Sequence, residues 1–110
     1  MKRNNHITIK EIRSIAKRIA EKFDTEKIIQ FGSYAYGKPT EHSDIDFLII
    51  AKSKVHHAEL RYQIYSELKD IPHPYDVVIR EPQQLETAKQ RRDWFLLNII
   101  KRGRLVYARC

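Results

Sequence analysis

The strongest constraint on the fold is an apolar run at residues 45–50 that only Asp46 interrupts. A short run of this kind, rich in branched side chains, is typical of a strand that is buried on both faces of a sheet. Such a strand, which we expect over residues 44–51, needs other elements packed on both sides. A chain of 110 residues has room for one core of this size, so we predict a single domain over residues 1–110.

Other segments have the patterns of the helices and strands that would surround this strand. Thr8 and Glu11 fit a capping box, which predicts a helix that continues to Phe23. The other predicted elements are strands at 27–31 and 75–79, a turn or short helix at 33–36, helices at 55–68, 82–88 and 93–102, and a strand at 105–107. Together they predict an α/β (α+β) architecture, a small sheet with flanking helices.

Two details of these predicted helices can be tested against the structure. We expect Ala58, Tyr62, Tyr65 and Leu68 to lie near one face of the helix at 55–68. We also expect the last helix to have Asp93 at its N-cap and Gly103 at its C′ position. The apolar side chains of that helix are predicted to face the core, namely Trp94, Phe95, Leu97 and Ile99.

The chain is basic, with a formal net charge of +7. Its basic residues are scattered over predicted helix faces, which is typical of solvated surface, so nucleic acid is an allowed partner but not a favoured one. The single cysteine, Cys110, excludes an intramolecular disulfide. We find no signal-peptide core and no apolar stretch of about 18 residues, and therefore expect a cytoplasmic protein without a membrane partner.

Asp44 and Asp46 stand at alternate positions at the start of the apolar strand. Alternate residues of a strand point to the same face, so the two carboxylates project together. Like charges that close, next to apolar side chains, are costly unless a cation lies between them. Mg²⁺ prefers carboxylate oxygens, water and substrate phosphates. A capped turn at Asp44 and an ion pair at Asp46 explain the two residues equally well.

Asp76 begins the predicted strand at 75–79 and repeats the pattern of Asp46, an acid before an apolar run. If the two strands are neighbours, Asp76 joins the pair. The three carboxylates could then hold two Mg²⁺ ions roughly 3.5–4 Å apart, one bound by all three and the other by Asp44 and Asp46. Taken alone, Asp76 is better explained as an acid that binds a loop amide.

Gly32 and Ser33 follow the predicted strand at 27–31 directly. A glycine there lets the backbone approach a ligand closely, and the following amides and the Ser33 hydroxyl can bind phosphate oxygens. Alone, this pair indicates only a turn. Combined with the three carboxylates, it predicts phosphoryl or nucleotidyl transfer, with Asp44, Asp46 and Asp76 as catalytic and metal-binding residues.

The stretch from Phe31 to Ile50, with Gly32-Ser33, ten residues and Asp44-x-Asp46, resembles the nucleotidyltransferases of the DNA polymerase β superfamily. It is most similar to the small MNT-type (minimal nucleotidyltransferase) proteins, and the resemblance extends from about residue 28 to residue 107. It implies a small mixed sheet and a nucleoside triphosphate such as ATP as substrate. It also implies a two-ion Mg²⁺ site on the first two carboxylates, Asp76 as the group that helps activate the attacking hydroxyl, and the Gly32-Ser33 turn as the triphosphate site.

The resemblance also implies a partner protein. Small MNT proteins are often encoded beside an all-helical HEPN protein, an RNase toxin that the MNT member neutralises by adding AMP to a tyrosine hydroxyl. The chain departs from many relatives at one position, where they have arginine and this chain has Tyr36. An arginine there could contact phosphate, so the departure bears on nucleotide affinity and not on the fold.

Three functions remain open at this stage. The first is an enzyme that transfers AMP from ATP to a protein hydroxyl and acts as an antitoxin. The second is an antitoxin that neutralises a HEPN RNase by contact alone, which exposed apolar side chains on the helix at 93–102 would favour. The third is a nucleotidyltransferase acting on RNA or a small molecule. The sequence pattern predicts no particular oligomeric state.

Overall fold

The predicted order of helices and strands is confirmed in the computed structural model, which describes residues 7–32, 35 and 44–109. The elements are α1 (Ile9–Lys22), β1 (Thr25–Phe31), β2 (Ile45–Ala51), α2 (His57–Glu67), β3 (Tyr75–Arg80), α3 (Pro82–Glu86), α4 (Trp94–Arg102) and β4 (Arg104–Ala108). The turn or short helix expected at 33–36 lies outside the described residues, except for Ala35. No helix in the described ranges has both the length and the apolarity that a membrane crossing requires.

The described strands form one mixed sheet in the order β3-β2-β1-β4. β2 pairs with β1 in antiparallel and with β3 in parallel orientation, and β4 pairs with β1 in antiparallel orientation. The interior position of β2 explains its continuous apolar run, because almost every side chain of β2 is buried. In the β2–β3 pairing Asp46 lies opposite Asp76, which confirms that the two acid-bearing strands are neighbours.

α1 and α2 contribute to the larger apolar core, which packs against one face of the sheet. The capping box of α1 is confirmed: the Glu11 amide donates to Thr8 Oγ1 (3.1 Å), and the Thr8 amide donates to Glu11 Oε1 (3.1 Å). From the strands, this core takes alternate residues of β2, including Ile45, Phe47 and Ile49. This face therefore contains the larger part of the packing that stabilises the fold.

The buried face of α2 is not the one that the sequence singled out. Its buried residues are Leu60 and Ile64, followed by Leu68 just beyond the helix, whereas Ala58 and Tyr62 are exposed. Leu60, Ile64 and Leu68 are four residues apart and therefore lie on one helix face. The aliphatic stripe occupies the core because it buries no polar group, while the tyrosine hydroxyls remain near water.

The second face of the sheet has a smaller core, in which Leu96 and Ile99 of α4 pack on Leu48 and Ile50 of β2. The N-cap of α4 is confirmed, because the Leu96 amide donates to the Asp93 carboxylate (3.1 Å).

The prediction for Gly103 was wrong. It is the C-cap of α4, with an extended backbone and φ −74°, and is not a left-handed C′ residue. A Cβ at Gly103 would lie 2.5 Å from the Ile99 carbonyl oxygen and 2.6 Å from Ile29 Cγ2. The glycine is therefore required by the close approach of this turn to β1.

Candidate active site

The acidic residues singled out in the sequence meet where β2 and β3 begin. Asp44 directly precedes β2, Asp46 is its second residue, and Asp76 is the second residue of β3. Because parallel strands start at the same end of a sheet, the pairing of Asp46 with Asp76 brings the three residues to one place.

Asp46 is the most perturbed of the three carboxylates. Burial, followed by the negative charges of Asp76 and Asp44, raises the pKa of Asp46 from 3.8 to about 6. Its side chain shares a face of β2 with Leu48 and Ile50, and no donor among the described residues contacts it. A half-buried carboxylate with two acidic neighbours favours binding of a cation.

Gly32 brings the backbone after β1 against the Asp46 carboxylate. Its φ of +79° lies in the left-handed region that side-chain-bearing residues rarely adopt. A Cβ at this position would overlap Asp46 Oδ2. The Ala35 amide donates to the Gly32 carbonyl (3.0 Å), so a turn starts at the predicted phosphate site. Ser33, Tyr36 and the loop at 37–40 lie outside the described residues, and the nucleotide-binding role of Gly32 and Ser33 stays a prediction.

Asp76 has partners that sequence reasoning missed. Its Oδ1 atom accepts hydrogen bonds from the Tyr65 hydroxyl (2.8 Å), the Val77 amide (3.0 Å) and Arg61 Nη2 (3.2 Å). The four-residue spacing of Arg61 and Tyr65 shows that they share a face of α2. It does not show that this face reaches the free edge of β3, so the spacing alone could not identify the contact.

The donor set is compatible with a hard divalent cation, since all three candidate ligands are carboxylates. The half-buried carboxylate of Asp46, which no donor among the described residues contacts, is the observation that fits an ion best. Within the ranges that the structure describes, no three acidic, histidine or cysteine side chains form a ready-made metal cluster. Metal binding by Asp44, Asp46 and Asp76 therefore remains a prediction.

An aromatic surface borders the site. Phe95 of α4 packs edge-on against Phe31, the residue before Gly32, with ring centroids 5.9 Å apart. Trp94 is 67% exposed and Phe95 is 51% exposed, so the prediction that these two residues face the core was wrong. The buried side of α4 is set by Leu96 and Ile99, and Trp94, two residues before Leu96, lies on the opposite side of the helix.

Comparison with known proteins agrees with this geometry. The family model for polymerase beta nucleotidyltransferases ("Polymerase beta, Nucleotidyltransferase") matches residues 12–110. A putative nucleotidyltransferase from Sulfolobus solfataricus superposes with a TM-score of 0.61 at 25% identity, covering 92% of this chain and 80% of that chain. A search of curated proteins gives no match.

Two further solved structures share the fold. One is described as a toxin-antitoxin with AMP-PNP (TM-score 0.63, 17% identity, 88% of this chain and 73% of that chain). The other is a mutant of the toxin-antitoxin MntA-HpeT (TM-score 0.60, 15% identity, 94% of this chain and 75% of that chain). At these identities the likeness establishes the fold alone. The family match extends over almost the whole sequence, and the chain therefore belongs to the polymerase beta nucleotidyltransferase family.

Proposed function

We propose that this chain transfers AMP from ATP to a hydroxyl group, and that the acceptor is a tyrosine of a HEPN-type toxin that the chain neutralises. The observation that carries the proposal is the pairing of Asp46 with Asp76 beside the left-handed Gly32. Family membership supports nucleotidyl transfer. The shared fold with proteins described as toxin-antitoxin, one of them with AMP-PNP, supports the partner and the nucleotide.

In this proposal each site residue has a distinct task. Asp44 and Asp46 would hold Mg²⁺, with Asp76 as a further ligand, and the bound ions supply neutralisation of phosphate charge. Gly32 and Ser33 bind the triphosphate through backbone amides and the serine hydroxyl. Asp76 takes the proton of the acceptor hydroxyl. The acceptor oxygen forms a bond to the α-phosphorus, the bond from that phosphorus to the bridging oxygen breaks, and pyrophosphate leaves.

The electrostatics of Asp46 support this assignment. Three carboxylates near one another oppose folding in the absence of a cation, because each raises the cost of ionising the next. The pKa of Asp46 is raised because burial and the neighbouring negative charges make its ionisation less favourable. Nothing in the packing around Leu48 and Ile50 requires an acid at this position, so a functional role for the charge is favoured.

The test combines the chain with a candidate HEPN-type toxin, Mg²⁺ and ATP labelled at the α-phosphate. We expect label on a tyrosine of the partner, lost in the Asp44→Asn/Asp46→Asn double variant. Asp70→Asn is the matched control, because Asp70 is an exposed acid that pairs with Arg18 and is not one of the three site carboxylates. An unlabelled partner, with wild-type protein that binds Mg²⁺ and ATP normally, would contradict the proposal.

Neutralisation by contact alone is the second candidate, and the exposed apolar side chains of α4 favour it. Trp94, Phe95 and Ile100 are all large, apolar and more than 40% exposed. Under this function the Asp44→Asn/Asp46→Asn double variant still protects cells from the toxin. If the variant binds the toxin but no longer protects, contact alone is excluded.

A further inference from the structure

Within the part of the chain that the structure describes, the two oxygens of Asp76 differ: Oδ1 accepts three hydrogen bonds and Oδ2 accepts none. Tyr65, Val77 and Arg61 all donate to Oδ1, at 2.8, 3.0 and 3.2 Å. No donor among the described residues contacts Oδ2. A carboxylate bound in this way keeps a fixed orientation while one oxygen remains available to a ligand.

The donors are themselves held in place. The Tyr65 ring stacks on Tyr75, with centroids 5.1 Å apart and planes inclined by 23°. The Arg61 guanidinium lies 5.6 Å from the centre of the Tyr65 ring, in cation–π contact. α2 therefore presents a preorganised pair of donors to the free edge of β3, and little conformational freedom is lost when they bind Asp76.

The Tyr65 hydroxyl is not arranged as an acceptor of AMP. It donates to Asp76 and accepts from the Val77 amide (3.1 Å) and from Arg61 (3.5 Å). A phenol has one proton and two lone pairs, so these three contacts occupy its hydrogen-bonding capacity. No lone pair remains for attack on a phosphate, which leaves Tyr65 a supporting role.

We propose that Tyr65 and Arg61 are positioning residues, which hold Asp76 by Oδ1 and leave Oδ2 for the acceptor hydroxyl and the ion. The assignment rests on the proposed function of Asp76. Without the Tyr65 hydroxyl, Asp76 loses its shortest hydrogen bond and can rotate away. The affected step is proton removal, while binding of the triphosphate at Gly32 is not altered.

The first test is the kinetics of the Tyr65→Phe variant with the toxin partner. Loss of a hydrogen bond to a charged group predicts a fall in kcat of roughly tenfold or more at saturating Mg²⁺, with KM for ATP unchanged under that condition. Tyr62→Phe is the matched control, because Tyr62 is on the same helix, is 68% exposed and should leave both constants unaltered. An unchanged kcat in Tyr65→Phe would overturn the proposal, and so would an increase, which would make the network a restraint on Asp76.

The second test does not require activity. Mn²⁺ affinity in the presence of AMP-PNP is measured by electron paramagnetic resonance for wild type, Tyr65→Phe, Asp76→Asn and the double variant. If Tyr65 acts through Asp76, Tyr65→Phe weakens Mn²⁺ binding severalfold in the wild-type background and has no further effect in Asp76→Asn. Equal losses in both backgrounds would mean a general structural effect and would overturn the proposal.

The two tests separate the positioning role from the proposed reaction. Coupling between Tyr65 and Asp76 in Mn²⁺ binding, together with no transfer by wild-type protein, would support the positioning role and contradict AMP transfer. Mass spectrometry of the chain after incubation with ATP and Mg²⁺ should show unmodified Tyr65. An adenylylated Tyr65 would overturn the positioning role, since the hydroxyl would then be an acceptor.

Discussion

The two faces of the sheet are formed by the same strands but carry different kinds of side chain. Successive residues of β2 point to opposite faces, so Ile45, Phe47 and Ile49 all enter the larger core, which α1 and α2 help to form. On the face covered by α4, Leu48 and Ile50 are followed toward the strand start by Asp46. A single strand therefore stabilises the fold on one side and presents a carboxylate on the other.

This difference shows how a small domain can accommodate a charged site. The larger core consists of close-packed apolar side chains, which stabilises the fold. The smaller core ends at the carboxylates and at the exposed rings of Trp94 and Phe95. We therefore expect substitutions on the α1/α2 face to change stability, and substitutions at the border of the α4 face to change function with smaller or opposite effects on stability.

The largest effect on stability is expected from Phe47→Ala, because Phe47 is fully buried in the larger core. Truncation of a buried aromatic side chain lowers the free energy of unfolding by about 3–5 kcal/mol. Urea unfolding followed by circular dichroism measures the change. Leu105→Ala, at a half-exposed residue, is the control and should stay within about 0.5 kcal/mol. A loss below about 1 kcal/mol for Phe47→Ala would contradict the assignment of the main packing to this face.

The two glycines provide the next comparison. Gly32→Ala places a Cβ in the left-handed region, at about 1–2 kcal/mol, and against the Asp46 carboxylate. Gly103→Ala also forces neighbouring atoms apart, but the atoms nearest its Cβ belong to Ile99, Ile29 and Gln30 and not to an acid. We expect both variants to be less stable and only Gly32→Ala to lose Mg²⁺-dependent AMP-PNP binding, measured by calorimetry. Equal affinities in the two variants would contradict a role for the Gly32 turn in nucleotide binding.

Asp46→Asn should raise the free energy of unfolding, whereas the substitutions at Phe47 and at the two glycines lower it. The pKa of Asp46 is raised to about 6 in the folded chain, so the folded state holds its proton more tightly than the unfolded state. Stability contributed by this proton is present below about pH 4 and is lost as the pH rises through about 6. Without divalent cations at pH 7, the free energy of unfolding of Asp46→Asn should therefore be about 1 kcal/mol higher than that of wild type. This value is smaller than the full pKa shift would give, because the group is half exposed.

The control for this prediction is Asp70→Asn. The Arg18 guanidinium lowers the pKa of Asp70, so its ionised form favours the folded state and its removal should slightly destabilise the chain at pH 7. Thermal unfolding between pH 4 and pH 8 in a chelating buffer tests both variants. If wild type and Asp46→Asn have parallel pH profiles, the carboxylate cluster does not strain the fold as described.

The smallest effect on stability is expected at Trp94. Because Trp94 is 67% exposed, Trp94→Ser should change the free energy of unfolding by less than about 0.5 kcal/mol. The same substitution should weaken binding to the toxin partner if the aromatic border is the docking surface. Tyr62→Ser, at an exposed tyrosine of α2, is the control. Calorimetric titration measures the affinity of each variant for the toxin partner. Equal affinities for Trp94→Ser and Tyr62→Ser would indicate that the partner binds to another surface.

The sequence was informative wherever a local pattern decided the structure. Thr8 with Glu11 predicted the start of α1. The acid before each of two apolar runs, Asp46 and Asp76, predicted the starts of β2 and β3. α2 was harder to interpret, since the aliphatic stripe of Leu60, Ile64 and Leu68 competes with a second face that carries Tyr62 and Tyr65. The contact of Tyr65 with Asp76 depends on β3 being an edge strand, which is a property of the whole sheet. Gly103 was misassigned because its neighbour Ile29 is distant in sequence.

The central claim is that the acids of β2 and β3 form a cation-dependent nucleotide site, and AMP-PNP binding tests it most directly. Calorimetric titration should show binding by wild-type protein with Mg²⁺, and a large loss both with a chelator and in the Asp44→Asn/Asp46→Asn variant. AMP-PNP affinity that is the same with Mg²⁺, with chelator and in the double variant would contradict the claim.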